Sequence, residues 1–236
     1  GSEMCIRDST NSENELGFSK FDVPHRLMAQ LSYTTPKYLN GWTSTTISVI
    51  YNGFSGSRYS LTMNEVSDFN GDGQKGNSLL YIPTEAEMDN MNFVDYTDQK
   101  TGKLIMSAAD SRKAFTEWVN NDDYAKNHRG QYAERNSNLS NWEHEIDLHL
   151  AQTIYNAQGL GKLEFTFDII NFANMLNKKW GASYSSAYNL SPLTVVSLST
   201  DENGNRNPGY AFNNAKINKS DISSRWHAQV GIRLTF

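Results

Sequence analysis

Residues 222–236 read Ile-Ser-Ser-Arg-Trp-His-Ala-Gln-Val-Gly-Ile-Arg-Leu-Thr-Phe. From Trp226 onward every even-numbered residue is apolar, and the odd-numbered residues are polar, charged or glycine. Successive side chains of a β-strand point to opposite faces, so this pattern predicts a strand with one apolar and one polar face. Its length suits a tilted membrane-crossing strand of about 9 to 11 residues, and it ends on an aromatic residue. A half-buried strand of a soluble β-sandwich alternates in the same way, so the remainder of the chain decides between the two.

Four other segments show the same two-residue alternation. They are residues 23–34, 44–51, 142–154 and 162–172. Short connections at 35–41 and 156–161 join them into two hairpins. Long stretches without alternation, at about 52–141 and 173–221, follow each hairpin. Short turns at one end of the strands and long loops at the other are the layout of outer-membrane barrels.

The alternation also sorts the charged residues. Across the five segments, with the first counted from Leu27, the apolar faces carry no acidic or basic residue apart from His144. The opposite faces hold the charged set Arg26, Glu143, Glu145, Asp147, Glu164, Asp168, Arg225 and Arg233. An arginine on a lipid-facing surface at mid-bilayer costs about 2–4 kcal/mol, so a bilayer demands such sorting. Aromatic residues near the strand ends match the interfacial girdles of membrane barrels: Tyr33, Tyr51, Trp142, Trp226 and Phe236.

The predicted fold class is all-β: an antiparallel transmembrane β-barrel fragment with periplasmic turns and long extracellular loops. Five strands do not close a barrel, because single-chain barrels begin at about 8 strands and an open edge leaves backbone groups unpaired in hydrocarbon. We therefore expect residues 11–236 to form about five C-terminal strands of a larger barrel. Residues 1–10 show neither the two-residue period of a strand nor the period of a helix, and we expect them to be a non-native stretch outside the fold.

Composition excludes several classes of protein. Hydrophobic residues make up 38% of the chain, and no run of about 18 apolar residues exists, which excludes a helical membrane protein. The net charge of −5 comes with no basic patch, so we expect no nucleic-acid partner. Cys5 is the only cysteine, and neither a disulfide framework nor a cysteine-based zinc site can form.

Several short motifs follow one another in a specific order and spacing. They are Phe-Asp-Val-Pro-His-Arg-Leu at 21–27, Tyr-Asn-Gly-Phe-Ser-Gly at 51–56, Asp-Phe-Asn-Gly-Asp-Gly at 68–73, Asn-Ser-Leu-Leu-Tyr-Ile-Pro at 77–83, Arg135-Asn136, Phe-Asp-Ile-Ile-Asn-Phe at 167–172, Asn-Met-Leu-Asn at 174–177 and the terminal Phe236. With them, residues 17–236 resemble the C-terminal part of the barrel of TonB-dependent outer-membrane receptors. The resemblance is to the type that bears a carboxypeptidase-regulatory-like domain and is related to the SusC-like transporters.

The resemblance implies a barrel of about 22 strands in the bacterial outer membrane. It implies import of a bulky nutrient, which is a glycan, a peptide or a metal chelate. The implied partners are outer-membrane lipid, a surface lipoprotein, the TonB complex through an N-terminal region that these residues do not include, and the barrel assembly machinery through the last strand. Phe236 resembles the assembly signal that this machinery recognises.

Two sets of loop residues are candidate binding sites. Asp68, Asn70, Asp72 and Gly73 match the start of a calcium loop, where alternate oxygens and a glycine turn surround a hard cation. The twelfth position is Leu79 rather than glutamate, and the same residues also form ordinary turns. Loop aromatics either stack on a sugar or peptide ligand or form small cores of the loops themselves: Tyr81, Trp118, Tyr124, Tyr132, Tyr184, Tyr188 and Tyr210.

Within the long loops the sequence predicts a helix from Ala108 to about Asn120, with Ser107 as N-cap, and a short extended run at 193–198. The acidic strand face with Glu143, Glu145, Asp147 and His149 is compatible with acid-base or metal-assisted hydrolysis. No nucleophile motif accompanies it, and a water-filled lumen explains acidic side chains without chemistry. We therefore expect no enzyme. The alternative function from another class is a secreted, soluble β-sandwich adhesion or carbohydrate-binding module.

Overall fold

A computed structural model describes residues 4–7, 14–65, 75–98, 100–155, 159, 161–185, 189–200 and 206–236. The fold is all-β, and strands dominate the described residues. In this part of the chain, none of the helices has the length and apolar character needed to cross a bilayer.

The five alternating segments form strands of 9 to 12 residues, and the long connections form mostly shorter strands, apart from β14 with 12 residues. They are β1 Met4–Arg7, β2 Asn14–Gly17, β3 Arg26–Thr34, β4 Thr43–Phe54, β5 Arg58–Glu65, β6 Tyr81–Ile82, β7 Tyr96–Thr97, β8 Leu104–Met106, β9 Gln131–Tyr132, β10 Asn138–Leu139, β11 Glu143–Ile154, β12 Lys162–Ile170, β13 Ser183–Ser185, β14 Asn189–Thr200, β15 Arg206–Phe212, β16 Asn218–Ser220 and β17 His227–Thr235. The helices are α1 Glu85–Asn90, α2 Ala108–Asn121 and α3 Phe172–Leu176, with a 3₁₀ turn at Ala125–Asn127.

The chain divides into two compact units. The sheet unit consists of Val23–Gly56, Asn141–Ser185 and Asn218–Phe236, and it contains the long alternating strands. The insert unit consists of Gly1–Asp22, Ser57–Ser140 and Ser186–Ile217, which include most of the long connections.

The sheet unit contains a five-stranded antiparallel sheet in the order β17-β12-β11-β4-β3. The five predicted strands and both predicted hairpins, β3–β4 and β11–β12, are confirmed. β3 begins at Arg26 rather than at residue 23, because Pro24 lacks the N–H that a ladder requires. β12 ends at Ile170, because Asn171 adopts a left-handed φ of 54°.

The five-stranded sheet has two edges in the described part of the chain. β3 and β17 each pair with one neighbour, and they do not pair with each other. No closed barrel is therefore present in the described residues.

The insert unit has its own sheet and its own core. Its four-stranded sheet has the order β10-β5-β14-β15, and β5 and β14 run parallel. The core brings together apolar side chains from β5, β6, α2 and β14, of which the largest fully buried ones are Phe115, Leu61, Leu80, Ile82, Leu193 and Val119. Three of the loop aromatics named above, Trp118, Tyr124 and Tyr210, pack against this core.

Helix α2 supplies the centre of this core. The predicted N-cap is confirmed, since the Ser107 hydroxyl accepts the Asp110 N–H at 3.1 Å. Phe115 and Val119, four residues apart, are fully buried, and the Phe115 ring lies 6.0 Å from Trp118 and 6.1 Å from Phe93.

Arg58 and Tyr59 of β5 illustrate how polar groups are accommodated in this unit. The buried Arg58 guanidinium donates to the Asp22 carboxylate at 2.7 Å and to the Asn136 carbonyl at 3.2 Å, and it lies 3.9 Å from the centre of the Phe18 ring. Burial, with a smaller contribution from the Asp122 carboxylate, raises the pKa of Tyr59 to about 12.

We expect Phe115→Ala to loosen the whole insert unit. Truncation of a fully buried phenylalanine costs about 3–5 kcal/mol. Amide hydrogen exchange in α2 and β5 should therefore accelerate by about 100-fold or more, since about 1.4 kcal/mol corresponds to a tenfold change. Glu117→Ala, an exposed change on the same helix, is the control and should leave exchange nearly unchanged. Equal exchange in the two variants would contradict the assignment of Phe115 to the centre of the core.

Candidate functional site

One face of the five-stranded sheet is apolar and exposed. We define the apolar face by two adjacent cross-strand rows, which run through all five strands. The first row is Tyr33, Ile47, Leu150, Phe167 and Val230, and the second is Leu31, Val49, Leu148, Ile169 and Ala228. The exposed fractions are 76% for Leu31 and 73% for Val230 at the edges, and 43% for Ile47 and 40% for Phe167 nearer the centre. A contiguous apolar surface of this kind marks contact with a partner or a membrane.

Aromatic and amphipathic side chains flank the apolar face at one end. The Tyr51 hydroxyl is 2.8 Å from Nδ1 of His144, and the Trp142 ring stacks on His144 and on His25 at 6.1 Å and 6.3 Å between centroids. The His144 ring thus has a hydrogen bond to Tyr51 and ring contacts with Tyr51 and Trp142. These contacts explain how a histidine is accommodated among the apolar side chains of this face.

The opposite end carries a second polar and aromatic border. The Tyr38 hydroxyl lies 2.7 Å from Oγ1 of Thr45 and donates to Oε1 of Gln152 at 3.0 Å. Trp42, next to β4, is half exposed. Rings with one apolar and one polar part at both borders are typical of side chains at membrane–water interfaces.

The other face of the sheet is cross-linked by polar contacts. His149 contacts Asp168 across the β11–β12 pair. Glu164 lies 3.1 Å from the Lys162 ammonium and 3.6 Å from the Arg233 guanidinium. Further hydroxyl and amide contacts join the remaining strands, including Ser32 to Ser48 at 2.7 Å and Arg26 to Asn52 at 3.0 Å. This face therefore suits contact with water.

The acidic residues of β11 have structural roles on this face. The Glu143 carboxylate accepts the Tyr184 N–H at 2.9 Å, and the Asp147 carboxylate accepts the Asn171 N–H at 2.8 Å. The β11–β12 pairing begins at Leu148, so β12 does not pair with the first part of β11. The two carboxylates hold residues 171–184 beside this first part.

The structure separates the predicted loop aromatics into three groups. Tyr81 and Tyr132 form an edge-to-face pair at 5.1 Å, and Tyr132 is 66% exposed. Trp118, Tyr124 and Tyr210 pack against the insert core, where burial, with a smaller contribution from Tyr132, raises the pKa of Tyr210. Tyr184 belongs to the sheet unit. Tyr188 lies outside the described residues, as do Asp68, Asn70 and Asp72 of the calcium-like loop.

An open cleft of about 760 Å³ lies in the insert unit between the β7–β8 hairpin and β14. Its polar lining includes Asn64, Asp95, Asp98, Lys100, Thr194 and Ser197. The Asp98 carboxylate accepts the N–H groups of Thr101 and Lys100, at 2.8 Å and 2.9 Å, and this holds the pKa of Asp98 below its ordinary value. The cleft combines carboxylates, amides and hydroxyls, which suits a polar, hydroxyl-bearing ligand.

Sequence reasoning missed the aromatic residue of this cleft. Tyr96 lines it, whereas none of the loop aromatics that were selected from the sequence and are described in the structure does. Tyr96 lies on a two-residue strand without alternation, so no periodic pattern distinguishes it. Elsewhere in the described chain, no cluster of three or more histidine, cysteine or acidic side chains is arranged to hold a metal ion.

No protein-family model, curated protein or solved structure matches this chain.

Proposed function

We propose that the chain is a C-terminal segment of the barrel of a TonB-dependent receptor in the bacterial outer membrane, and that it takes part in binding and import of a bulky nutrient. The observation that carries the proposal is the five-stranded antiparallel sheet, with an exposed apolar face, a polar opposite face and two edges that no described strand pairs. In a membrane barrel, lipid covers such an apolar face and further strands pair with the edges.

The dimensions of the apolar face support this proposal. Trp42, in the turn before β4, and Tyr51, within β4, are nine residues apart, which is roughly 31 Å along a strand. A strand tilted by about 40° then spans a height of roughly 24 Å, close to the apolar band of about 25 Å in outer-membrane barrels.

The soluble β-sandwich is less well supported. A sandwich packs the apolar faces of two sheets against each other, so that these side chains become buried. Leu31, Val230 and Ile232 are instead about 70% exposed or more. A secreted adhesion or carbohydrate-binding module would therefore present a large apolar surface to water.

The long connections suit a role in nutrient capture. The insert unit has a packed core and an open, polar cleft, so it can hold binding residues in fixed positions. The family resemblance extends the proposal to energy from the TonB complex and to a surface lipoprotein partner. The carboxylates of the calcium-like loop remain part of the proposal on sequence grounds alone.

Two neighbouring residues of β17 provide the test of the membrane location. Val230 lies on the apolar face and Gln229 on the polar face, and both are exposed. In a bilayer Val230→Arg should lower stability by about 2–4 kcal/mol and reduce the amount of heat-resistant, membrane-inserted protein, because the charge enters hydrocarbon. Gln229→Arg faces water beside Asp168 and is the matched control, with insertion close to that of the unchanged chain.

The readout is the fraction of the receptor recovered in outer-membrane preparations when the substitutions are made in the complete coding sequence. Loss of insertion for Val230→Arg alone supports the proposal. Equal recovery of the two variants, or recovery of the unchanged protein in the soluble fraction, contradicts it.

Phe236 permits a separate test of the assembly signal. Its side chain is fully exposed, so its removal takes no buried contact away from this chain. Deletion of Phe236 should leave the unfolding of the assembled protein unchanged and should strongly lower the yield of assembled protein, whereas Phe236→Tyr should retain it. Normal yield after the deletion would contradict the signal role.

A further inference from the structure

A small groove lies on the apolar side of the sheet unit, beside the start of β11. Its volume is about 280 Å³, near the lower limit for ligand cavities. Side chains from β11 and from the segment that follows α3 line it: Trp142, His144, Ile146, Lys179, Trp180 and Tyr184. The lining is thus mainly apolar and aromatic, and it includes one lysine, Lys179.

The backbone around the groove is fixed by amide side chains. The Asn171 amide donates to the carbonyls of Gly181 and Ser224, at 2.8 Å and 2.9 Å, and the Asn174 amide donates to the Trp180 carbonyl at 2.8 Å. Gly181 has a φ of 58°, and a Cβ atom there would lie 1.8 Å from Oδ1 of Asn171, so only glycine fits. The backbone conformation around Trp180 is therefore fixed by specific contacts within the sheet unit.

Lysine residues lie in and next to the segment that lines the groove. Lys178, Lys179 and Lys219 are exposed, and the Lys219 ammonium donates to the Lys178 carbonyl, so it lies next to the segment that carries Lys179. Among the residues that the structure describes, no carboxylate forms an ion pair with Lys178 or Lys179. An apolar groove bordered by ammonium groups is complementary to an anionic amphiphile.

We propose that this groove binds one acyl chain of a lipid with a net negative phosphate headgroup, and that the phosphate binds at Lys179. The inference rests on the proposed membrane location, since the groove opens on the apolar face. The proposal adds a specific lipid site at one border of the sheet. Trp142 and Trp180 contact the acyl chain of the lipid there, and Lys179 contacts its headgroup.

The test uses quenching of tryptophan fluorescence in the 236-residue chain in zwitterionic detergent micelles. Brominated phosphatidylglycerol and brominated phosphatidylcholine serve as anionic and zwitterionic probes. The chain has five tryptophans, so Trp180→Phe identifies the share of the quenching that arises at Trp180. We expect the anionic probe to quench this share at a mole fraction about two- to fivefold lower than the zwitterionic probe, as one exposed ion pair allows.

Lys179→Glu should abolish the preference for the anionic probe, and Lys179→Gln should reduce it. Lys113→Glu makes the same charge change at an exposed position on α2 of the insert unit, and it should retain the preference. Equal quenching by the two probes in the unchanged chain, or the same preference in Lys179→Glu and Lys113→Glu, would overturn the lipid site.

Failure of the proposed membrane location would give a different experimental result. A chain that remains monomeric in buffer without detergent contradicts the membrane location, whatever the quenching shows. A chain that requires detergent and shows no preference between the probes overturns the lipid site alone.

Discussion

The constraint on which the remaining structure depends is that an apolar sheet face and two open edges need covering. Burial of apolar surface contributes about 25 cal/mol per Å², and unpaired backbone groups in hydrocarbon cost several kcal/mol each. The five long strands present both features together, with Val230 of β17 and Leu31 of β3 exposed next to free edges. A bilayer together with further strands satisfies both needs at once.

The insert unit is stabilised in a different way. Its stability comes from a local hydrophobic core around Phe115 and from polar links such as Arg58 to Asp22. This division explains why the long connections show no alternation: their apolar residues point into a small core made by several short elements. A rigid unit of this kind can present polar residues, such as those of its cleft, in fixed positions.

Much of the sheet was predictable from the sequence, because a two-residue period is a direct consequence of strand geometry. Matching of the apolar faces excludes one-residue shifts from the register that pairs Leu148 with Val49 and Ile169, whereas two-residue shifts keep the same faces. The parallel pairing of β5 with β14 was not predictable, since it joins segments more than a hundred residues apart without a shared period. The groove near Trp180 was missed for a related reason: it depends on the left-handed Asn171 and on Gly181, whose effects appear only in three dimensions. Helix α2 was predicted well, because Ser107 and the spacing of Phe115 and Val119 are local signals.

The central claim is that lipid covers the apolar face of the sheet. The most direct measurement places single spin labels at consecutive residues from 228 to 234 of β17, in the protein reconstituted with lipid bilayers and with Cys5 replaced by serine. Accessibility to oxygen, which partitions into lipid, and to a water-soluble nickel complex is then measured at each position. The account predicts a two-residue alternation, with oxygen access greatest at Val230 and Ile232 and nickel access greatest at Gln229 and Arg233. Uniform access to the nickel complex at all positions would contradict it.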